Sequence, residues 1–104
     1  MPNLFDDLPA SDGAERFDEL LTRPGAVIER IVSTGQATPE DQPYDQAWDE
    51  WVLLLAGAAR LWLDGAGEVG LAPGDHLLIP AHCRHHVVWT QADPPTVWLA
   101  VHFR

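Results

Sequence analysis

Leu71-Ala72-Pro73-Gly74-Asp75-His76-Leu77-Leu78-Ile79-Pro80-Ala81-His82-Cys83-Arg84-His85 is the stretch whose reading decides the fold. Ala72, Pro73 and Gly74 close one short apolar segment with turn chemistry. Asp75 to Ile79 then reads as a strand, and Pro80, which has no N–H to give a ladder, ends it. After a short loop, His85 to Thr90 reads as the next strand.

The same punctuation continues on both sides. Upstream lie Glu68 to Leu71, the Asp64-Gly65-Ala66-Gly67 turn, and Ala59 to Leu63. Before these, Trp51 to Ala56 is a strand broken by Gly57, and Val27 to Val32 is a β-branched strand followed by loop residues 35–43. Downstream, Gln91-Ala92-Asp93-Pro94-Pro95 is a loop before a strand from Thr96 to Phe103. Short strands with close turns and little else indicate an all-β sandwich or barrel. At 104 residues the chain is long enough for one core and one domain. Residues 1–25 are expected to form an arm and a short helix outside a barrel of residues 26–104. Ser11 or Asp12 would cap that helix, which would run to Leu21 or Thr22. Phe17, Leu20 and Leu21 would give it an apolar stripe, and Pro24-Gly25 would stop it.

The opening stretch resembles the second signature of the cupin superfamily, with Gly74, Pro80 and His85 at the family's spacings. His82 stands where that signature has its second Gly, and Trp89 where it has Asn. Glu50 and Gly57 match the end of the first signature. With a three-residue gap before Glu50 its two histidine positions fall on Tyr44 and Gln46, and with a four-residue gap on Pro43 and Asp45. The first register is preferred, because proline is a poor strand residue and cannot ligate. The resemblance covers about residues 26–103 and implies a double-stranded β-helix, a jelly-roll-like barrel. Inward residues of such a barrel line a shared cavity.

In cupins with the full set, the resemblance implies three histidines and one glutamate around a divalent ion such as iron, manganese, zinc or nickel. Here it leaves Gln46, Glu50 and His85 as candidate metal ligands, a weaker set, with Tyr44 able to ligate only as phenolate. The alternative reading makes Glu50 and His85 a hydrogen-bonded polar pair in a metal-free pocket. If the protein is an enzyme, the resemblance implies oxygenase or isomerase chemistry on a small organic molecule, with Glu50 or Tyr44 carrying the proton. A non-catalytic ligand-binding or sensing module, or a purely structural role, are the rivals. Trp89 should share a face with His85 and Val87 and line the pocket, while the face of His102 is open. His76, His82 and His86 read as ordinary polar histidines, and nothing equips Cys83 as a nucleophile.

Composition bounds the partners. The formal net charge is −10, all basic residues are arginines, and 12 of the 16 carboxylates fall in residues 1–50. Such a balance argues against nucleic acid and anionic membranes. No apolar run approaches the roughly 18 residues of a membrane span. Met1 to Ala10 has two aspartates and no basic segment, unlike a secretory signal. A cytoplasmic location is the default expectation, and the lone Cys83 fits a reducing compartment. Five tryptophans in a short barrel suggest packing faces, and small cupins commonly pair, so a homodimer is expected.

Overall fold

The computed structural model of the chain describes residues 1–10 and 13–104. Its strands are β1 (Arg16–Arg23), β2 (Ala26–Ser33), β3 (Asp49–Ala56), β4 (Ala59–Leu63), β5 (Gly67–Leu71), β6 (His76–Ile79), β7 (His85–Thr90) and β8 (Thr96–Phe103). Two antiparallel sheets result, in the orders β1-β2-β8-β3-β6 and β5-β4-β7. Val52 and Leu54 of β3 meet Leu61 and Leu63 of β4, with Trp98 and Ala100 of β8, in the core between them. The strands read from the sequence between residues 27 and 103 are all present.

The expected N-terminal helix is not. No helix occurs among the described residues, and the segment assigned to it is the edge strand β1. Its caps, Ser11 and Asp12, lie outside the described residues. The helix-like spacing of Phe17, Leu20 and Leu21 has another origin. Glu19 pairs with Glu29 and Leu21 with Ile28, which leaves Leu20 as an extra, bulged residue. A bulge inserts one residue into a period of two and so imitates a period nearer that of a helix. Short helices are marginal by themselves, whereas β2 offers this segment a ladder of backbone partners.

The outer side of this strand pair is fastened by Arg30. Its guanidinium pairs with Asp18 of β1 at 2.7 Å and donates to the carbonyls of Leu4 and Asp6 at 3.0 and 2.8 Å. Arg30 is buried, so the N-terminal arm is its roof.

Pairing register sets the inner face. Glu50 lies beside His102, Val52 beside Ala100, and Leu54 beside Trp98. On the far side of β8, Ala100 adjoins Glu29 and Trp98 adjoins Ile31. Directly paired residues share a face, so Glu50, His102 and Glu29 all point between the sheets. Gly57 turns β3 into β4 at φ 86°, and a Cβ there would lie 2.7 Å from the Cα of Thr96. Only glycine fits both the left-handed backbone and the close approach.

Candidate functional site

A cavity of about 130 Å³ opens between the sheets. Tyr44, Gln46, Glu50, His85 and His102 all line it, together with Glu15, Glu29 and the apolar side chains of Phe17, Val52 and Trp98 among others. Five of the residues singled out in the sequence thus meet in one place.

Each is held by local structure. Tyr44 forms an isolated bridge with His85, with N···O distances of 2.8 and 3.1 Å in the two directions. The His82 N–H donates to the Gln46 carbonyl at 2.6 Å, and its ring meets Asp45 at 3.2 Å. His82 itself takes φ 61°, so it adopts the left-handed backbone that glycine supplies in the family signature. Histidine tolerates this region better than most side chains. The loop contacts to Asp45 and Gln46 hold it there.

His85 is buried, 5% exposed, and its Nδ1 lies 2.9 Å from the Cys83 carbonyl. A carbonyl only accepts, so Nδ1 carries the hydrogen, and in the neutral ring Nε2 presents a lone pair to the cavity. Tyr44 stacks on this ring at 5.4 Å. Across from Nε2, at 3.8 Å, stands Oε1 of Glu50. That distance is too long for a hydrogen bond. Glu50 is 7% exposed, and burial pushes its carboxyl above the usual glutamate range, against the pull of His102 and His85. The Gln46 side chain also pulls it down, more weakly. Burial, with Glu15 nearby, also raises Tyr44, so its phenol stays protonated and is further from acting as a phenolate.

His102 faces inward. The indole N–H of Trp48 donates to its Nδ1 at 3.0 Å, so Nε2 bears the hydrogen and donates to Glu29 at 2.8 Å. The Glu29 carboxylate raises the proton affinity of this ring above its ordinary value. A second proton would occupy Nδ1 and expel the indole.

Trp89 does not line the cavity. Leu61 pairs with Val87 but Arg60 with Trp89, so Val88 is an extra residue. This bulge reverses the alternation after Val87, and Trp89 emerges on the outside, 46% exposed. Trp98 supplies the indole wall instead, with its N–H on Ser33 Oγ at 3.1 Å. Sequence reasoning missed Glu15 and Glu29. In Val27-Ile28-Glu29-Arg30-Ile31-Val32 both alternating faces carry one charge, so composition could not choose between them.

The family's metal arrangement needs three imidazoles and a carboxylate, and the donors here do not fit it. Both ring nitrogens of His102 are engaged, and Tyr44 is held as phenol. Among the described residues no group of three His, Cys, Asp or Glu side chains is placed to hold a metal ion. Glu50 and His85 are the two strong donors left, with the neutral amide of Gln46 beside them.

A family model described as "Cupin domain" matches residues 30–102, and the chain belongs to the cupin family. Its fold is also similar to solved cupin structures. A Ralstonia eutropha JMP134 protein, provisionally named a mannose-6-phosphate isomerase, is 48% identical over 99% of this chain and 96% of its own, with a TM-score of 0.94. A cupin superfamily protein of Desulfitobacterium hafniense DCB-2 is 20% identical, covering 91% of this chain and 82% of its own, at a TM-score of 0.76. An RmlC-like cupin of Desulfovibrio desulfuricans is 16% identical over 99% and 94%, at 0.78. No curated protein matches the chain.

Proposed function

We propose that this cupin binds a small organic molecule in the cavity and shifts a proton on it, an isomerase-type reaction with Glu50 and His85 as the acid–base pair. The supporting observation is the facing of the His85 Nε2 lone pair and the Glu50 carboxyl across 3.8 Å inside an apolar-walled cavity. A buried carboxyl with raised proton affinity is suited to take a proton from carbon and return it. Glu50 removes the proton beside a carbonyl, His85 handles the proton on the neighbouring oxygen, and the Tyr44 phenol hydrogen-bonds the developing oxyanion.

Interconversion of an aldose and a ketose, the reaction class in the name of the Ralstonia eutropha relative, is such a shift between adjacent carbons. The phosphorylated sugar in that name suits this cavity less. Phosphate is gripped by Arg or Lys, and neither lines the cavity. Its volume is also close to the ~150 Å³ that accommodates a benzene-sized guest, smaller than a sugar phosphate.

Incubation in deuterium oxide with small neutral, anionic and cationic carbonyl compounds tests the reading by mass spectrometry. Carbon-bound deuterium should appear in one class, and Glu50→Gln should slow it by about 100-fold or more. Exchange that survives this substitution refutes the assignment. The other reading from the resemblance, a divalent ion on Gln46, Glu50 and His85, is checked by metal analysis of the same preparations. Stoichiometric metal lost on double alanine substitution of Glu50 and His85 would move the pair to metal ligation. Glu50-dependent binding without exchange would support the non-catalytic module.

The exposed Phe17, Leu20 and Leu21 of edge strand β1 favour a homodimer through this edge. Light scattering should give twice the chain mass, and a monomer at working concentration rules the dimer out.

A further inference from the structure

Glu15, Glu29 and Glu50 line one cavity of about 130 Å³, and no arginine lines it. The proton shift proposed above uses only Glu50. Glu15 and Glu29 are surplus to it, and both are partly buried. Burial pushes the Glu15 carboxyl above the usual glutamate range, a shift that a cation beside it would offset. Their partners in the protein are hydrogen-bond donors. Ser33 Oγ donates to Glu15 at 2.5 Å, and His102 Nε2 donates to Glu29 while the Trp48 indole N–H meets its Nδ1. The arginines are engaged elsewhere, Arg30 on Asp18 and Arg104 over the Trp48 ring at 4.4 Å.

A second observation points the same way. His85 is 5% exposed, and its Nε2 has no hydrogen-bond partner among the described residues. With Nδ1–H tied to Cys83, this atom is one more acceptor aimed into the cavity. A site rich in acceptors and negative charge is complementary to a group with several donors, positive charge and no acceptor, which describes an ammonium. The rings of Phe17, Tyr44 and Trp98 line the same space and attract a cation to their faces.

We infer that the cavity takes a small organic cation, an amine in its ammonium form, selected by Glu15 and Glu29, and turns away phosphorylated and other anionic ligands. The inference rests on reading the cavity as a ligand site, and it names the class of molecule that enters.

Three probes share one carbon skeleton: isobutylammonium, isobutanol and isobutyrate, with mannose-6-phosphate as a fourth. Titration is followed by the indole N–H signal of Trp98, with exposed Trp89 as the control. In the native chain isobutylammonium should bind at least about tenfold more tightly than isobutanol, and isobutyrate more weakly than either. In the Glu15→Gln, Glu29→Gln double variant the ratio of isobutylammonium to isobutanol affinity should fall to about one. Tighter binding of isobutyrate or mannose-6-phosphate than of the ammonium overturns the inference. So does a cation preference that persists in the double variant, or isobutanol binding with no cation preference in the native chain. In these cases the cavity stands as a ligand site. If no probe moves the Trp98 signal, the ligand-site reading falls together with the inference.

Discussion

The two walls of the cavity differ in how they are held. Glu50 stands on β3, which is hydrogen-bonded on both sides, to β6 and β8. His85 opposite it is bridged to Tyr44 and tied to the Cys83 carbonyl. The other wall ends at the sheet edge: Phe17 sits on β1, 53% exposed, and Glu15 immediately precedes that strand. Its fastening to the rest of the fold includes Arg30 with Asp18 and the N-terminal arm. Glu50, proposed to move the proton, thus lies on a doubly paired strand, with His85 on edge strand β7 held by its bridge to Tyr44. Of the groups proposed to select the ligand, Glu29 lies on the doubly paired β2 and Glu15 on the wall that can adapt. Acid–base chemistry needs fixed geometry, whereas charge selection acts over longer distances and tolerates play.

The contrast can be broken from either side. Gly57→Ala strikes the well-held wall, because it forces a side chain into left-handed backbone and against Thr96. It should cost about 3 kcal/mol in denaturant melts, combining backbone strain with overpacking. A loss under about 1 kcal/mol would mean that the β3–β4 turn relaxes freely.

Arg30→Ala strikes the other wall and should cost about 2 kcal/mol, below the usual range for breaking a buried pair because Asp18 keeps contact with water. Amide exchange should accelerate along β1 and the N-terminal arm and stay unchanged in β3. Equal acceleration in both would erase the distinction between the walls.

The smallest effect sharpens the contrast. Burial raises Glu50 above its unfolded value. For a group shifted in that sense, the stability contribution is fully present below the unfolded pKa and is lost as pH rises through the folded one. Glu50→Gln should therefore melt at a higher temperature than the native chain at neutral pH. The two should converge once pH falls below the ordinary glutamate range. The proton shift requires the carboxylate, so native activity should fail at a higher pH than an unshifted glutamate would give. A Glu50→Gln variant that is less stable at neutral pH would show that the carboxylate is satisfied in place.

Much of the architecture was legible because turns are local. Pro73-Gly74, Asp64-Gly65 and Pro80 mark their boundaries through their own backbone preferences, and the strands between them formed where read. Two errors share one cause. Leu20 and Val88 are bulged residues, and a bulge depends on a partner strand distant in sequence. The first turned an edge strand into an apparent helix, and the second carried Trp89 from the expected cavity wall to the surface.

The sequence by itself determined that this is a cupin with Glu50 and His85 in family positions, because glycine and proline spacing is a property of neighbouring residues. In either register of the resemblance, Tyr44 with Gln46 or Pro43 with Asp45, no histidine stands at the His-x-His positions. Only the tertiary structure decided that Glu15, Glu29 and His102 face the same cavity. Which side of a strand is inside depends on what pairs with it and what packs over it. Arg30 shows the rule, for it alternates with Glu29 on one strand and is buried on the opposite face beneath the N-terminal arm.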